Sequence, residues 1–383
     1  MDYRIPVTVL TGFLGAGKTT FLNRYMAGAE ASRALVIINE FGSIGVDNDL
    51  VVFSDEDSSM VSLSSGCLCC TIRGDLTKTL REAPWRYSRD GERWFDQVII
   101  ETTGLADPVP IVQTLLAERA IAQQYHLQQI ITVVDGVNAL DTLETQPEAA
   151  KQVAMADSLL ITKADLADQD QVRQTEVALR RLNPGAGISV QGLEQIDPTT
   201  IFGQAAFKPE LKADAVRDWL AAESFDVADP TQGHDHHHNH DHHHEHDHGH
   251  DHHHHHDENR HGDHIRSFCL TFDEPKSAKV YDAWFDHLTR VRGSDLLRVK
   301  GILNVLELQL PMVIHGVQHV WHPPEILTSW PSDDQRSRVV FIVRDLEKGE
   351  LLDSLRLIAS QSEGAQTIGL TPDEQAALAG DEA

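Results

Sequence analysis

Gly12-Phe13-Leu14-Gly15-Ala16-Gly17-Lys18-Thr19 fits the pattern G-x-x-x-x-G-K-[ST], the Walker A phosphate loop. Its flanks suit that role. Val7-Thr8-Val9-Leu10 reads as a short buried strand, and Thr20 to Met26 reads as the start of a helix. Three glycines let backbone N–H groups converge on phosphate oxygens, and the helix N-terminus adds a favourable field. Gly12, Gly15, Ala16, Gly17, Lys18, Thr19 and Thr20 are therefore the expected phosphate-binding residues. Lys18 should reach the β- and γ-phosphates, and the Thr19 hydroxyl should hold Mg²⁺.

Two later stretches narrow the nucleotide. Val98-Ile99-Ile100-Glu101-Thr102-Thr103-Gly104 is an apolar strand ending in an acid and then a glycine, a Walker B segment. Glu101 is the expected catalytic partner of Lys18, holding Mg²⁺ through water or orienting the attacking water. The Gly104 N–H is placed to sense the γ-phosphate. Leu159-Leu160-Ile161-Thr162-Lys163-Ala164-Asp165 is a buried strand followed by T-K-x-D. A carboxylate at Asp165 accepts two hydrogen bonds from guanine N1–H and N2–H₂, a donor pair that adenine lacks. The Lys163 stem lies along the base plane. Thr162, Lys163 and Asp165 thus favour GTP over ATP.

A second centre is Gly66-Cys67-Leu68-Cys69-Cys70, which holds three of the four cysteines. In an extended segment Cys67 and Cys69 share one side and Cys70 points away, so all three converge only if the chain bends, which Gly66 assists. Three thiolates form a soft site suited to Zn²⁺, with Cu(I), Co²⁺ and Ni²⁺ as competitors. Glu40, in Asn39-Glu40-Phe41-Gly42, or a ligand from a target protein would complete it. The cysteines fall between Walker A and Walker B, where nucleotide-sensing segments lie, so a γ-phosphate-dependent rearrangement would act on the metal directly. Cys269 sits in an apolar strand and reads as core.

Residues 5–190 alternate strand-like and helix-like segments, the mark of a mostly parallel α/β sheet with helices on both faces. Strands are expected at 6–10, 34–38, 60–64, 97–101, 129–134, 157–161 and 187–190. Helices are expected at 18–28, 73–83, 109–124, 148–155 and 169–182, with a closing helix at Ala213–Ala222. This P-loop unit spans 1–225. Residues 226–264 form a His/Asp-rich linker that cannot build a core: 18 of the 23 histidines lie within 233–264. Imidazoles interleaved with carboxylates there suit Zn²⁺, Ni²⁺, Co²⁺ or Cu²⁺ in weak, exchangeable contacts. Residues 265–358 read as a smaller α+β unit. Its strands are expected at Ile265–Phe272, Leu297–Val299, Ile302–Gln309, Met312–His319 and Val339–Val343, and its helices at Ala278–Arg292 and Leu351–Ile358. His315, His319 and His322 cluster here, but a strand and a Pro-rich turn account for them as well as a metal site does. The tail 359–383 is polar and weakly ordered.

A net charge of −27 argues against nucleic acid as a partner. No apolar run approaches a membrane span, and no cleavable leader is legible, so the cytoplasm is the expected location. Nothing in the sequence selects between a monomer and a homodimer.

Taken together, GFLGAGKTT, NEFG, GCLCC, ETTGLADP, TKADL, LLRVKGIL, IHGVQHVWHPP and VVFI resemble the CobW family of GTP-dependent metallochaperones over about residues 5–345. The resemblance implies a P-loop GTPase domain followed by a CobW C-terminal domain. It also implies metal held by Cys67, Cys69 and Cys70, and delivery to a client metalloprotein coupled to GTP hydrolysis. Members handle zinc, cobalt, nickel or iron. The chain departs from the family at two positions. Ser43 stands where many members carry Glu after N-E-F-G, which leaves the ligand count open, and Thr162 replaces the Asn of N-K-x-D.

Overall fold

The computed structural model describes residues 3–28, 31, 33–39, 60–62, 70–192, 198–203 and 264–368. The first unit is built on a seven-stranded sheet of order β3-β2-β6-β1-β7-β8-β9. Its strands are β1 (Ile5–Gly12), β2 (Ala34–Asn39), β3 (Met60–Ser62), β6 (Gln97–Thr102), β7 (Tyr125–Asp135), β8 (Ser158–Thr162) and β9 (Gly187–Val190). All of its pairings are parallel. Parallel strands need crossovers, and here helices supply them. These are α1 (Lys18–Met26), α2 (Cys70–Arg86), α3 (Val109–Ala117), α4 (Arg119–Ala122), α5 (Ala139–Thr145), α6 (Pro147–Met155) and α7 (Gln169–Leu182), and α8 (Pro198–Gly203) follows the last strand.

Alternate residues of β1 feed opposite faces, as a period of two requires. Val7 and Val9 join Leu35, Ile37, Val98 and Ile100 under α2 and α3. Leu10 joins Val36, Ile99, Val133 and the α1 residues Phe21, Leu22 and Tyr25 on the other side. Phe202 of α8 closes that second layer, its ring stacked 5.3 Å from Phe21. Strand β1 lies between β6 and β7, where successive crossovers diverge, and the crevice at its carboxyl end is where such sheets bind ligands.

The second unit is an antiparallel sheet of order β10-β15-β11-β12-β13, with β14 paired to β12. Its strands are β10 (Ile265–Phe272), β11 (Leu296–Leu303), β12 (Met312–Val317), β13 (Val320–Trp321), β14 (Glu325–Ile326) and β15 (Ser337–Arg344). Helices α9 (Ala278–Arg292) and α10 (Lys348–Ile368) pack on one face through Trp284, Phe285, Leu288, Leu351 and Leu355. The other face meets the first unit, where Ala154 of α6 packs on Leu297 and Ile342. Strand β11 is accordingly buried along its whole length.

Several elements differ from the sequence expectation. One helix was expected over 109–124; Glu118, with an extended ψ of 103°, splits it into α3 and α4. The strand expected at Leu297–Val299 and the first two residues of that expected at Ile302–Gln309 form one strand through Gly301, where a side chain would press on Ile314 from 2.9 Å, and residues 304–309 lie outside it. The last helix was expected over 351–358; it begins at Lys348 and runs to Ile368, into the stretch read as tail. Helices α5 and α8 and a small hairpin of β4 (Ser88–Arg89) and β5 (Glu92–Arg93) had no clear sequence signal. The Ala213–Ala222 helix and the His-rich run before His264 lie outside the described residues.

Candidate functional site

The phosphate loop takes its shape from three left-handed glycines: φ is +139° at Gly12, +74° at Gly15 and +94° at Gly17. Such angles favour a residue without Cβ. At Gly12 a Cβ would also lie 2.2 Å from the Val133 carbonyl oxygen, so the loop sits tight on β7. Gly17 is the N-cap of α1, which leaves the first-turn N–H groups aimed at the crevice.

Lys18 is buried, and its Nζ donates to the carbonyls of Gly12 at 2.8 Å and Phe13 at 3.1 Å. Burial lowers its pKa below the ordinary lysine value, and the Glu101 carboxylate opposes that shift. The Thr19 hydroxyl donates to Glu101 Oε1 at 2.9 Å, bringing the Walker A threonine and the Walker B acid together across 82 residues. These are hard oxygen donors of the kind Mg²⁺ takes, so the residues present fit the ion. Gly104 lies directly against the loop: a Cβ there would be 2.6 Å from the Leu14 amide nitrogen.

On the base side, Thr162 is buried and donates to the Ala16 carbonyl at 2.7 Å. The hydroxyl thereby ties the end of β8 to the phosphate loop. Lys163 has φ +56° and donates to Asp135 Oδ2 at 2.7 Å. Burial opposes ionisation of Asp135, but Lys163, Asn138 and the Val137 N–H outweigh it and hold the carboxyl below its ordinary value. Asp165 is exposed at the rim, where a side chain on Gly192 would come within 3.2 Å of its Oδ1. A cavity of about 320 Å³ flanks the loop between Leu14, Asp135, Thr142 and Gln152.

The cysteines expected to hold metal are placed less fully. Cys70 is the first residue of α2, while Cys67, Cys69 and Glu40 lie outside the described residues. Among the described residues no group of three or more His, Cys, Asp or Glu is arranged to hold a metal ion. Nor is any described helix long and apolar enough to cross a membrane.

Three residues of consequence were not singled out from the sequence. Asp135 ends an apolar strand, as Glu101 nearly does, and that was its available signal. Gln152 interrupts an otherwise small and apolar helix face in α6. Asp157 carries no local signal at all: its carboxylate is fully buried and paired with Arg298 and with Lys300, the latter at 2.9 Å, both from β11. Burial opposes its ionisation, yet the two cations hold it well below the ordinary carboxylate range. His315 pairs with Lys300 across the β11–β12 ladder, and its ring centroid is 6.1 Å from that of His322.

The fold and the phosphate loop define the class: a P-loop protein of the GTPase type, with an appended antiparallel unit. Residues 6–190 match the family CobW/HypB/UreG, nucleotide-binding domain, and residues 265–358 match the cobalamin synthesis protein cobW C-terminal domain. The chain belongs to the CobW family. It is 35% identical to the zinc chaperone YjiA of Escherichia coli over 206 residues, 54% of this chain and 63% of that protein. It is 29% identical to the zinc chaperone CobW of Pseudomonas aeruginosa over 371 residues, 92% of this chain and 91% of that protein. It is 33% identical to zinc-regulated GTPase metalloprotein activator 1 of Schizosaccharomyces pombe over 185 residues, 47% of this chain and 44% of that protein. The YjiA and Schizosaccharomyces pombe alignments therefore span less than two thirds of those relatives. Among solved structures, zinc-bound YjiA GTPase from E. coli matches with a TM-score of 0.58 at 25% identity, covering 94% of this chain and 99% of that one.

Proposed function

We propose that this chain is a cytoplasmic GTP-hydrolysing metallochaperone that binds Zn²⁺ at Cys67, Cys69 and Cys70 and passes it to client metalloproteins. Hydrolysis is coupled to the transfer. The observation that carries the reading is the convergence of Lys18, Thr19 and Glu101 at the carboxyl end of β1, in a chain whose relatives include proteins named zinc chaperones.

In this reading Lys18 exchanges the Gly12 and Phe13 carbonyls for phosphate oxygens. The exchange is favourable because its buried ammonium then meets anionic acceptors. Thr19 and Glu101 hold Mg²⁺, which supplies charge neutralisation on the phosphates. Glu101 also orients the attacking water, and the Gly104 N–H, set against Leu14, responds to the γ-phosphate. Asp165 reads guanine, while Asp135 fixes Lys163 beside the base and Thr162 fixes the loop. Zn²⁺ is cargo, held by thiolates with Glu40 or a client ligand in the fourth position. Cys70 is the first residue of α2, which lies between β3 and the Walker B strand in the chain. Cobalt, nickel or iron would travel by the same mechanism. The division at 225, 264 and 358 belongs to this reading, with the His-rich linker as a weak metal reservoir.

The test is Zn²⁺ affinity with and without GTP–Mg²⁺, in the wild type and in a variant carrying Cys67→Ser, Cys69→Ser and Cys70→Ser. Linkage requires GTP and metal to shift each other's affinity by the same factor. Equal Zn²⁺ affinities in all four measurements would remove the proposal.

A further inference from the structure

Helix α6 faces the nucleotide side of the molecule through Lys151 and Gln152 and the C-terminal sheet through Ala154. On the nucleotide side two successive residues grip the loop that follows the Walker B strand. Gln152 is buried, and its Nε2 donates to the carbonyls of Gly104 at 3.1 Å and Ala106 at 3.0 Å. Lys151 is paired with Asp107 at 2.5 Å, and the other oxygen of Asp107 accepts the Val109 N–H at 3.0 Å, at the start of α3. The Gln152 carbonyl in turn accepts the Thr132 hydroxyl of β7 at 2.9 Å, which fixes the rotation of the helix. Gly104, the residue so held, lies against Leu14 of the phosphate loop.

The C-terminal turn of α6, which follows Gln152 directly, is equally tied. Asn183 Nδ2 donates to the carbonyls of Val153, Ala154 and Ala156, satisfying the C-terminal turn. Ala154 packs on Leu297 and Ile342 of the C-terminal sheet. Two residues past the helix, Asp157 receives Arg298 and Lys300 from β11 and, on its second oxygen, the Ile130 N–H of β7 at 2.9 Å. A single short helix thus holds the Gly104–Ala106 backbone through one side chain and reaches a buried ion cluster between the two units five residues later. Such a cluster is a discrete arrangement, kept or broken, rather than a yielding one.

We propose that Gln152 is a positioning residue for the GTPase reaction, holding Gly104–Ala106 against the phosphate loop, and that α6 carries the state of that loop to strand β11. The inference rests on the GTPase reading. Its chemistry needs only the two amide hydrogen bonds. When the γ-phosphate draws the Gly104 N–H, the Gly104 and Ala106 carbonyls shift with it, and Gln152 moves α6 against Leu297 and Asp157. The C-terminal unit then feels which nucleotide is bound, and by reciprocity its own contacts bias nucleotide affinity.

The experiment uses the full-length protein, with Gln152→Leu and Gln152→Glu beside the wild type. It measures kcat, affinity for GDP and for a non-hydrolysable GTP analogue, and amide hydrogen exchange over residues 296–303. Both variants should keep GDP affinity within about twofold and lose about tenfold in kcat, the scale of two hydrogen bonds to the reacting loop. The wild type should show different exchange over 296–303 with the GTP analogue than with GDP, and both variants should lose that difference. Wild-type kcat and a retained exchange difference in either variant would overturn the proposal. So would a wild type that binds both nucleotides tightly with identical exchange over 296–303, a result that needs no variant to fold. Failure of the wild type to bind GTP would instead remove the GTPase reading on which the proposal stands.

Discussion

Two clusters in this molecule bury a lysine near a carboxylate, and they are built for opposite ends. At the phosphate loop, Lys18 is bonded to carbonyls of its own loop and Glu101 to Thr19. Each of these partners is neutral, so a bound ligand can replace it without stranding an opposite charge. Between the units, Asp157 is locked to Arg298 and Lys300, which lie 141 and 143 positions away in sequence. No small ligand can replace that partnership cheaply, because displacing the carboxylate would leave two buried cations unpaired. A buried cation with exchangeable neutral partners is a waiting binding group, whereas one closed on a buried anion is a joint.

The largest expected effect probes the joint. Asp157→Asn should destabilise the protein by about 3–5 kcal/mol, since Arg298 and Lys300 would be left inside the interface without their anion. Chemical denaturation of the variant checks this, and a loss below about 1 kcal/mol would show that water reaches the two cations instead.

Next is the loop. Lys18→Ala should leave the unfolding midpoint near that of the wild type, because burial already disfavours the ammonium. It should weaken GTP binding by about 2–4 kcal/mol, or about 30- to 1,000-fold. Titration with a fluorescent GTP analogue reads this directly, and wild-type affinity would misplace the site.

A smaller and more selective loss is expected at the rim. Asp165→Ala should reduce the preference for GTP over ATP by about tenfold to a hundredfold through loss of the acceptor for the guanine N–H pair. Competition between the two nucleotides measures it. If GTP and ATP weaken equally, Asp165 holds the loop rather than reading the base.

The smallest effect is a pH dependence at the joint. Burial, with His322, Arg298 and Lys300 around it, holds His315 well below the ordinary histidine value, while Asp157 pulls the other way. The unfolded chain therefore binds this proton first as pH falls. Stability that is complete above about pH 6.5 should decline below it by up to about 1.4 kcal/mol per pH unit. His315→Gln should flatten that slope between pH 6.5 and 5. An unchanged slope would assign the proton to another group. Asp157 has the same sign at lower pH, its contribution fading as pH falls below the ordinary carboxylate range.

Much of the loop site was legible because its chemistry is written locally. Gly12 to Thr19 combines strand, glycines and helix in one stretch, and a backbone cradle needs nothing more distant. Glu101 and Thr162-Lys163 are equally local, each following an apolar strand. Parallel pairing then brings the strand ends to one edge, so the Thr19–Glu101 and Thr162–Ala16 contacts follow from the order of strands around β1. Element boundaries were less legible. The breaks and extensions at Glu118, Gly301 and Lys348 are decided by what each segment packs against, and local propensity is a weak guide to that.

By itself, then, the sequence determined the phosphate loop, the acid behind it, the T-K-x-D segment, the cysteine cluster and the alternation that makes a parallel sheet. Each depends on residue types within a few positions of one another. Only the tertiary structure decided that Gln152 holds the Gly104 loop, that Asp135 holds Lys163, and that Asp157 meets Arg298 and Lys300 under α6. Those contacts join residues 28 to 143 positions apart. Their partners are set by which faces of two sheets are buried together, and no local pattern in the chain encodes that.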